Sequence, residues 1–226
     1  MTNLDLYAKI EPMIGFYEAY ENLYQKYLNI LKKYPVQKVL DVGCGNGMFL
    51  SLLSEKYEAF GIDISSEMVH ICRKKGLDVA CCYLHEVSGA YDTIVAVADV
   101  LNYMPQKDLQ KFLEDVYVHL KEGGIFVCDV NTLHGFEDVA AGSMNVDEGD
   151  RFLAIDAEFE EDMLHTDIVY FEKRSDDCFV KEEAKIVQYY HSLSDILSLS
   201  PMKMIKKFDI SLFSTEADKT ILVFQK

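Results

Sequence analysis

Three glycines at alternate positions, Gly43, Gly45 and Gly47, stand in the stretch "DVGCGNG" that follows the apolar run Lys38 to Val42. Glycine lacks a Cβ and reaches positive φ freely, so this spacing serves a ligand that must approach the backbone closely. Asp63 lies 20 residues after Gly43, at the end of the next apolar run, where a carboxylate can accept hydrogen bonds from both hydroxyls of a ribose. Together they indicate a nucleoside. A dinucleotide fingerprint, G-x-G-x-x-G, would need glycine where Met48 stands. Asp41 would repel a pyrophosphate but can hold an ammonium. The ligand inferred is a cationic nucleoside without phosphate, which describes S-adenosylmethionine.

The elements that must position these groups are read from periodicity. "KVLDVG" is a strand running into the glycine turn, and "GMFLSLLSEKY" is a helix with Phe49, Leu50, Leu53 and Tyr57 at helical spacing. "EAFGIDIS", "LDVACCYL", "YDTIVAVADVL" and "IFVCDVN" read as four further strands, nearly continuous in apolar residues, as suits parallel strands covered on both faces. Helices "SEMVHICRKKG" and "QKDLQKFLEDVYVHLKEGG" alternate with them, the second stopping at Gly123 and Gly124. This alternation predicts an α/β fold with a doubly wound, Rossmann-like seven-stranded sheet. After Asn131 the rhythm becomes polar–apolar, over Arg151 to Glu172 and Val180 to Tyr190, which predicts an antiparallel β insertion after the fifth strand. The expected division is 1–131 for N-terminal helices and cofactor-binding core, 132–191 for an inserted cap, and 192–226 for a helix and strand pair that complete the sheet.

The chain has 226 residues, half of them hydrophobic, enough for a substantial core, and a net charge of −16. That charge disfavours nucleic acid, whose phosphates would need a concentrated basic face. No apolar run approaches the ~20 residues of a membrane span, and "MTNLDLYAKIEP" lacks the features of a signal peptide. A cytoplasmic protein is expected, its six cysteines reduced and its metal sites none, since no CxxC or finger spacing occurs.

"VLDVGCGNG" resembles motif I of the class I S-adenosylmethionine-dependent methyltransferases, and "GIDISSEM" the motif that follows it. "ADVLNYM" and "HLKEGGIFVCDVNT" are similar to small bacterial members with an inserted β-sheet cap, relatives of amino-sugar and glycine N-methyltransferases. By that resemblance Asp41, Gly43, Cys44, Gly45 and Gly47 line the methionine and ribose, Asp63 takes the ribose hydroxyls, and Ile64 and Met68 sandwich the adenine. Tyr7 and Tyr17 match tyrosines that fold over the cofactor, and Asp99 joins the cofactor-lining set. Where many relatives carry an acidic residue for the adenine amino group this chain has Tyr83, with the Leu84 backbone, His85 or Glu86 as substitutes. Where relatives often carry Arg and Tyr it has Tyr189 and His191.

The acceptor is expected beyond the fourth and fifth strands, under the cap. Asp99, Asn102, Tyr103, His134, Tyr189, Tyr190 and His191 are the candidates there. His134 is the first choice for a general base, since imidazole titrates near neutrality; Asn102 and Tyr103 complete the catalytic set. Asn102 could instead serve backbone amides at a helix start. Tyr24 and Tyr27 are read as the buried face of a helix, and His70 and His119 as structural. The function expected is methyl transfer to nitrogen or oxygen of a small-molecule acceptor by a monomer or homodimer. The alternatives are a methyltransferase acting on protein or RNA, and a non-catalytic nucleoside-binding module.

Overall fold

The computed structural model describes residues 3–175 and 177–226. Two helices, α1 (Asn3–Ile14) and α2 (Tyr17–Leu31), precede the strand β1 (Lys38–Val42). Then come α3 (Met48–Ser54), β2 (Glu58–Asp63), α4 (Ser66–Lys74), β3 (Val79–Cys81), β4 (Tyr91–Ala96), α5 (Gln106–His119) and β5 (Leu120–Asn131). The four strands β6 (Gly142–Asp147), β7 (Arg151–Glu160), β8 (Met163–Lys173) and β9 (Phe179–Tyr189) form a separate antiparallel sheet. The chain ends with α6 (Leu193–Leu199), β10 (Lys203–Ile210) and β11 (Lys219–Gln225).

The main sheet has the order β10-β11-β5-β4-β1-β2-β3, with β3 to β5 mutually parallel and β11 antiparallel between β5 and β10. Its strand order reverses between β1 and β4, and in such sheets the crevice beyond the carboxyl ends at that point is where ligands sit. Both faces are covered, as the continuous apolar strands require. Leu109, Phe112, Leu113 and Val116 of α5 pack on one side with Ile94 and Phe126. Leu23, Tyr27 and Leu31 of α2 and Phe49 of α3 pack on the other with Val95 and Val127.

Three local readings are corrected. The helix α5 ends at His119, before Gly123, because Leu120 turns extended and pairs with Tyr91; the ladder then shifts register before Ile125 meets Thr93. The third strand is only three residues long, since Glu86 Oε2 accepts the Tyr83 N–H at 2.8 Å and starts a single turn, Leu84–Glu86. The segment Arg151 to Glu172 is two strands joined by the two-residue turn Glu161 and Asp162, at φ +50° and +60°. That turn type normally announces itself by Asn-Gly or Asp-Gly, and here it is Glu161-Asp162.

Helix α1 lies between the two sheets. Leu6, Ile10 and Met13 are buried against Leu153, Ile168, Tyr170 and Ile186 of the cap. Polar contacts fix the helix on three sides. Lys9 pairs with Glu172 and Glu182, both at 2.6 Å, while Asn3 Nδ2 donates to Lys185 O. Ser65 Oγ donates to Asp5 Oδ1 at 2.8 Å, and Asn46 Nδ2 to Glu11 Oε2 at 3.2 Å. Tyrosine rings and Glu11 thus come down over the carboxyl ends of β1 and β4.

Candidate active site

The glycine turn is anchored to the neighbouring strand before it meets any ligand. The N–H groups of Gly43 and Cys44 both donate to Ile62 O, at 2.8 and 3.0 Å, and Gly47 N–H donates to Cys44 O. All three glycines have positive φ, +70°, +52° and +80°. A Cβ on Gly43 would lie 2.7 Å from Val100 Cγ2, and one on Gly47 would lie 2.5 Å from Leu77 Cδ1 and 2.7 Å from Cys72 Sγ. One on Gly45 would meet no protein atom within 4 Å. Two glycines are therefore demanded by packing. Gly45 opens toward the space beyond the sheet.

Asp63 organises that space. Its Oδ2 accepts the Gly45 N–H at 2.9 Å and its Oδ1 the Ser65 N–H at 2.8 Å, where Ser65 caps α4. Burial pushes this carboxyl up and the amide donors pull it down. A carboxylate offers about four acceptor positions, so two remain for hydroxyls. Asp41 is different. It is 1% exposed, and its Oδ2 has no hydrogen-bond partner among the described residues. Burial first, then the charge of Asp63 and the Cys72 thiol, hold its carboxyl well above the usual range. An unpartnered carboxylate of this sort calls for a cation.

Both groups line one cavity of about 630 Å³ over the carboxyl ends of the strands. Of the residues singled out from the sequence, Tyr7, Asp41, Gly43, Cys44, Gly45, Asp63, Ile64, Met68, Leu84, Asp99 and Tyr103 line it. Tyr17, Gly47, Asn102 and His134 are not in its lining, and neither are Tyr189, Tyr190 and His191. Gly47 faces Cys72 and Leu77 instead. Asn102 is fully buried, donating to Tyr189 O at 2.8 Å and accepting the Asn131 N–H at 3.0 Å, so its amide ties the cap to the main sheet. His134 faces the loop before β11: Nδ1 is 2.9 Å from Asp138 Oδ2 and Nε2 3.0 Å from Ser214 Oγ. Nε2 of the buried His191 meets Met104 O at 2.9 Å, and burial lowers the proton affinity of this ring.

Two groups of lining residues escaped the sequence reading. Tyr20 and Tyr24 of α2 face the cavity, and Tyr24 also stacks on Phe49 at 5.2 Å. Their helical spacing marked a buried face, but spacing alone does not say whether that face meets core or cavity. Glu11 and Asn46 also line it. Around the tyrosines the hydroxyls are held protonated: burial pushes Tyr7, Tyr20, Tyr24 and Tyr103 upward, and the charge of Asp99 adds to it for Tyr7, Tyr20 and Tyr103.

Asp99 is itself held from below. Ala98 and Asp99 take left-handed backbone, at φ +64° and +57°, which costs non-glycine residues roughly 1 kcal/mol or more each. Asp129 of β5 fixes this strained corner: its Oδ1 accepts the Ala98 N–H at 2.9 Å and the Tyr27 hydroxyl at 2.6 Å, and its Oδ2 the Asp99 N–H at 3.0 Å. Lys219, 3% exposed at the start of β11, pairs with Asp99 Oδ1, lies 3.4 Å from Asp129 Oδ2, and donates to Asn131 Oδ1 at 2.7 Å. Gln188 of the cap donates to Asp99 Oδ2 at 3.1 Å. A lone aspartate in the apolar fifth strand, and a lysine before an apolar last strand, were the only sequence signals for this network.

Comparison with known proteins agrees with this layout. Residues 39–124 match the family model described as a methyltransferase domain. A protein of Geobacillus sp. (strain WCH70) named as a methyltransferase is 26% identical over 133 residues, 54% of this chain and 54% of that protein; the likeness spans about half its length. Among solved structures, an S-adenosylmethionine-dependent methyltransferase from Clostridium acetobutylicum ATCC 824 superposes with a TM-score of 0.77 at 21% identity, covering 91% of each chain. A sugar N-methyltransferase from Streptoalloteichus sp. ATCC 53650 gives 0.74 at 15% identity, covering 99% of this chain and 92% of that one. At such identities the structural likeness establishes the fold, and the matched domain holds the glycine turn and Asp63. Residues 39–124 thus match a methyltransferase domain, and the sheet order with its insertion after β5 gives the chain the fold of S-adenosylmethionine-dependent methyltransferases of known structure.

Proposed function

We propose that this protein transfers a methyl group from S-adenosylmethionine to nitrogen or oxygen of a small-molecule acceptor. The observation that carries the reading is the pair of carboxylates at the glycine turn: buried Asp41, whose Oδ2 lacks a partner, and Asp63, with two acceptor positions free. Asp41 suits the ammonium of the methionine moiety and Asp63 the ribose hydroxyls, with Gly43, Cys44 and Gly45 alongside and Ile64, Met68 and Leu84 about the adenine. Tyr7, Tyr20 and Tyr103 close the opposite side. When bound, the cofactor supplies a methyl group on a sulfonium, which departs as a neutral thioether.

The chain's own contribution is placement. α1 forms one wall of the cavity and is itself packed against the cap, and positioning an acceptor in line supplies ~7 to 11 kcal/mol of a barrier. None of the histidines lines the acceptor side; His85 alone lines the cavity, beside Tyr83. The reading therefore assigns no general base to His134. A small acceptor is supported by the cavity of about 630 Å³, by the sugar substrate of the Streptoalloteichus structure, and by the charge of −16, which opposes RNA. A cytoplasmic setting belongs to the same reading, in keeping with six free cysteines.

Calorimetric titration with S-adenosylmethionine, S-adenosylhomocysteine and NAD in parallel tests it. Micromolar binding of the two sulfur nucleosides without NAD is the expected result. Binding of none of them would refute the cofactor assignment, and a silent panel of small amines and alcohols with the cofactor bound would refute the acceptor class.

A further inference from the structure

Asp41 and Asp63 have roles in the reading above; of the other acidic residues in the lining, Glu11, Asp99, Asp108 and Asp115, Asp99 is the one held by a buried network. It comes from the turn after β4, below the cap, in the same turn as Tyr103. Tyr7, Tyr20 and Tyr103 line the same cavity, and the charge of Asp99 adds to the burial that keeps their hydroxyls protonated. The network beneath contains two carboxylates, Asp99 and Asp129, and one ammonium, Lys219, and burial raises the Asp129 carboxyl while Lys219 and the Tyr27 hydroxyl lower it. Asp129 is fully buried and takes donors on both oxygens from Tyr27, Ala98, Asp99 and Lys219. Among the described residues Asp99 takes only Lys219 and Gln188, and its side chain retains 16% exposure. Asp99 itself lines the cavity, and a carboxylate with one donor on each oxygen has further acceptor capacity.

Resting on the cofactor assignment, we propose that Asp99 is the acceptor-side anion of this cavity, accepting the N–H of an amine acceptor that arrives neutral, stabilising the ammonium formed by methyl transfer, and so selecting nitrogen over oxygen. The selection follows from charge. In methyl transfer to a neutral amine the N–C bond forms as the C–S bond breaks, and the positive charge of sulfur ends on nitrogen, where a fixed carboxylate stabilises it. A hydroxyl must shed its proton and approach with negative charge, which a carboxylate at the cavity wall opposes. Protonated tyrosines ring the site and take up no proton.

Sinefungin tests this without knowledge of the acceptor. It replaces the methylsulfonium of the cofactor by a carbon-borne amine, while sharing with S-adenosylhomocysteine the ribose, adenine and methionine ammonium, so contributions from Asp41 and Asp63 cancel between the two. Calorimetry on the whole protein is expected to show sinefungin bound about tenfold or more tighter than S-adenosylhomocysteine, as for a charge-assisted contact. Asp99→Asn keeps the shape and is expected to abolish that preference while changing S-adenosylhomocysteine affinity less than threefold. The homocysteine ligand also reports on folding: should the variant bind it poorly, Gln188→Leu, which frees Asp99 Oδ2, replaces it and must alter the preference. Equal affinity for the two ligands in the natural protein, or an undiminished preference in Asp99→Asn, overturns the inference. Binding of neither ligand to the natural protein overturns the cofactor assignment and this inference with it.

Discussion

Asp41→Asn separates a binding charge from a structural one. In the free protein the Asp41 carboxylate is buried and its Oδ2 has no partner, so it contributes a desolvation penalty with no hydrogen bond on that oxygen to offset it. An unsatisfied buried acceptor costs about 1 to 3 kcal/mol, and in a chain of this length each kcal/mol shifts the melting temperature by about 2 to 4 °C. Asp41→Asn removes the charge at constant volume and is expected to raise the melting temperature of the free protein by several degrees at pH 8. The sign with pH follows from the raised carboxyl: the folded state holds a proton that the unfolded chain releases, so this group's stabilisation is present at low pH and lost as pH rises through its folded value. The gap between variant and natural protein should vanish near pH 4 and widen upward. In the complex the balance reverses, because the ammonium loses a charge-assisted bond of about 1.5 to 3 kcal/mol, or roughly 10- to 150-fold in affinity for S-adenosylhomocysteine. Scanning calorimetry across pH and titration of the ligand measure both halves. A variant that melts below the natural protein at pH 8, or binds S-adenosylhomocysteine unchanged, would refute the reasoning.

Other perturbations separate neighbouring roles. Asp63→Ala removes two amide contacts as well as the ribose partner, and should weaken S-adenosylhomocysteine binding at least about tenfold while also lowering the melting temperature. Gly45→Ala meets open space and should fold with a loss of about 1 kcal/mol, yet bind the nucleoside poorly; Gly47→Ala clashes with Leu77 and Cys72 and should show a larger loss of stability by calorimetry. His134→Ala should leave ligand affinity unchanged and keep full methyl transfer to any amine the screen yields. A turnover drop of a hundredfold would restore this histidine to the mechanism.

The cofactor side was legible because its determinants are local. The glycine spacing, the preceding apolar run and the distance to Asp63 all lie on one strand–turn–helix–strand unit, whose geometry follows from the chain order. The acceptor side was not, because it is assembled from distant pieces. Asp99 and Lys219 are 120 residues apart and meet only because β11 inserts beside β5. Position after a strand end suggested His134, but that position does not fix direction: the chain bends there into a turn over Gly135–Ala140, with the ring beside Ser214. Likewise a tyrosine stripe reports that a face is covered, without distinguishing protein from ligand as the cover.

Helix α1 touches the cap through Lys9 and Asn3, the turn after β2 through Asp5, and the glycine turn through Glu11. With Leu4, Tyr7 and Glu11 in the lining, it forms one wall of the cavity. Turnover then carries a mechanical condition: spent nucleoside leaves only as fast as this helix lets go of the cap, and Lys9→Ala, which removes two ion pairs, should quicken that departure without touching the ribose or methionine contacts. Amide exchange over residues 3–14, compared with the release rate of S-adenosylhomocysteine, would show the two rising together.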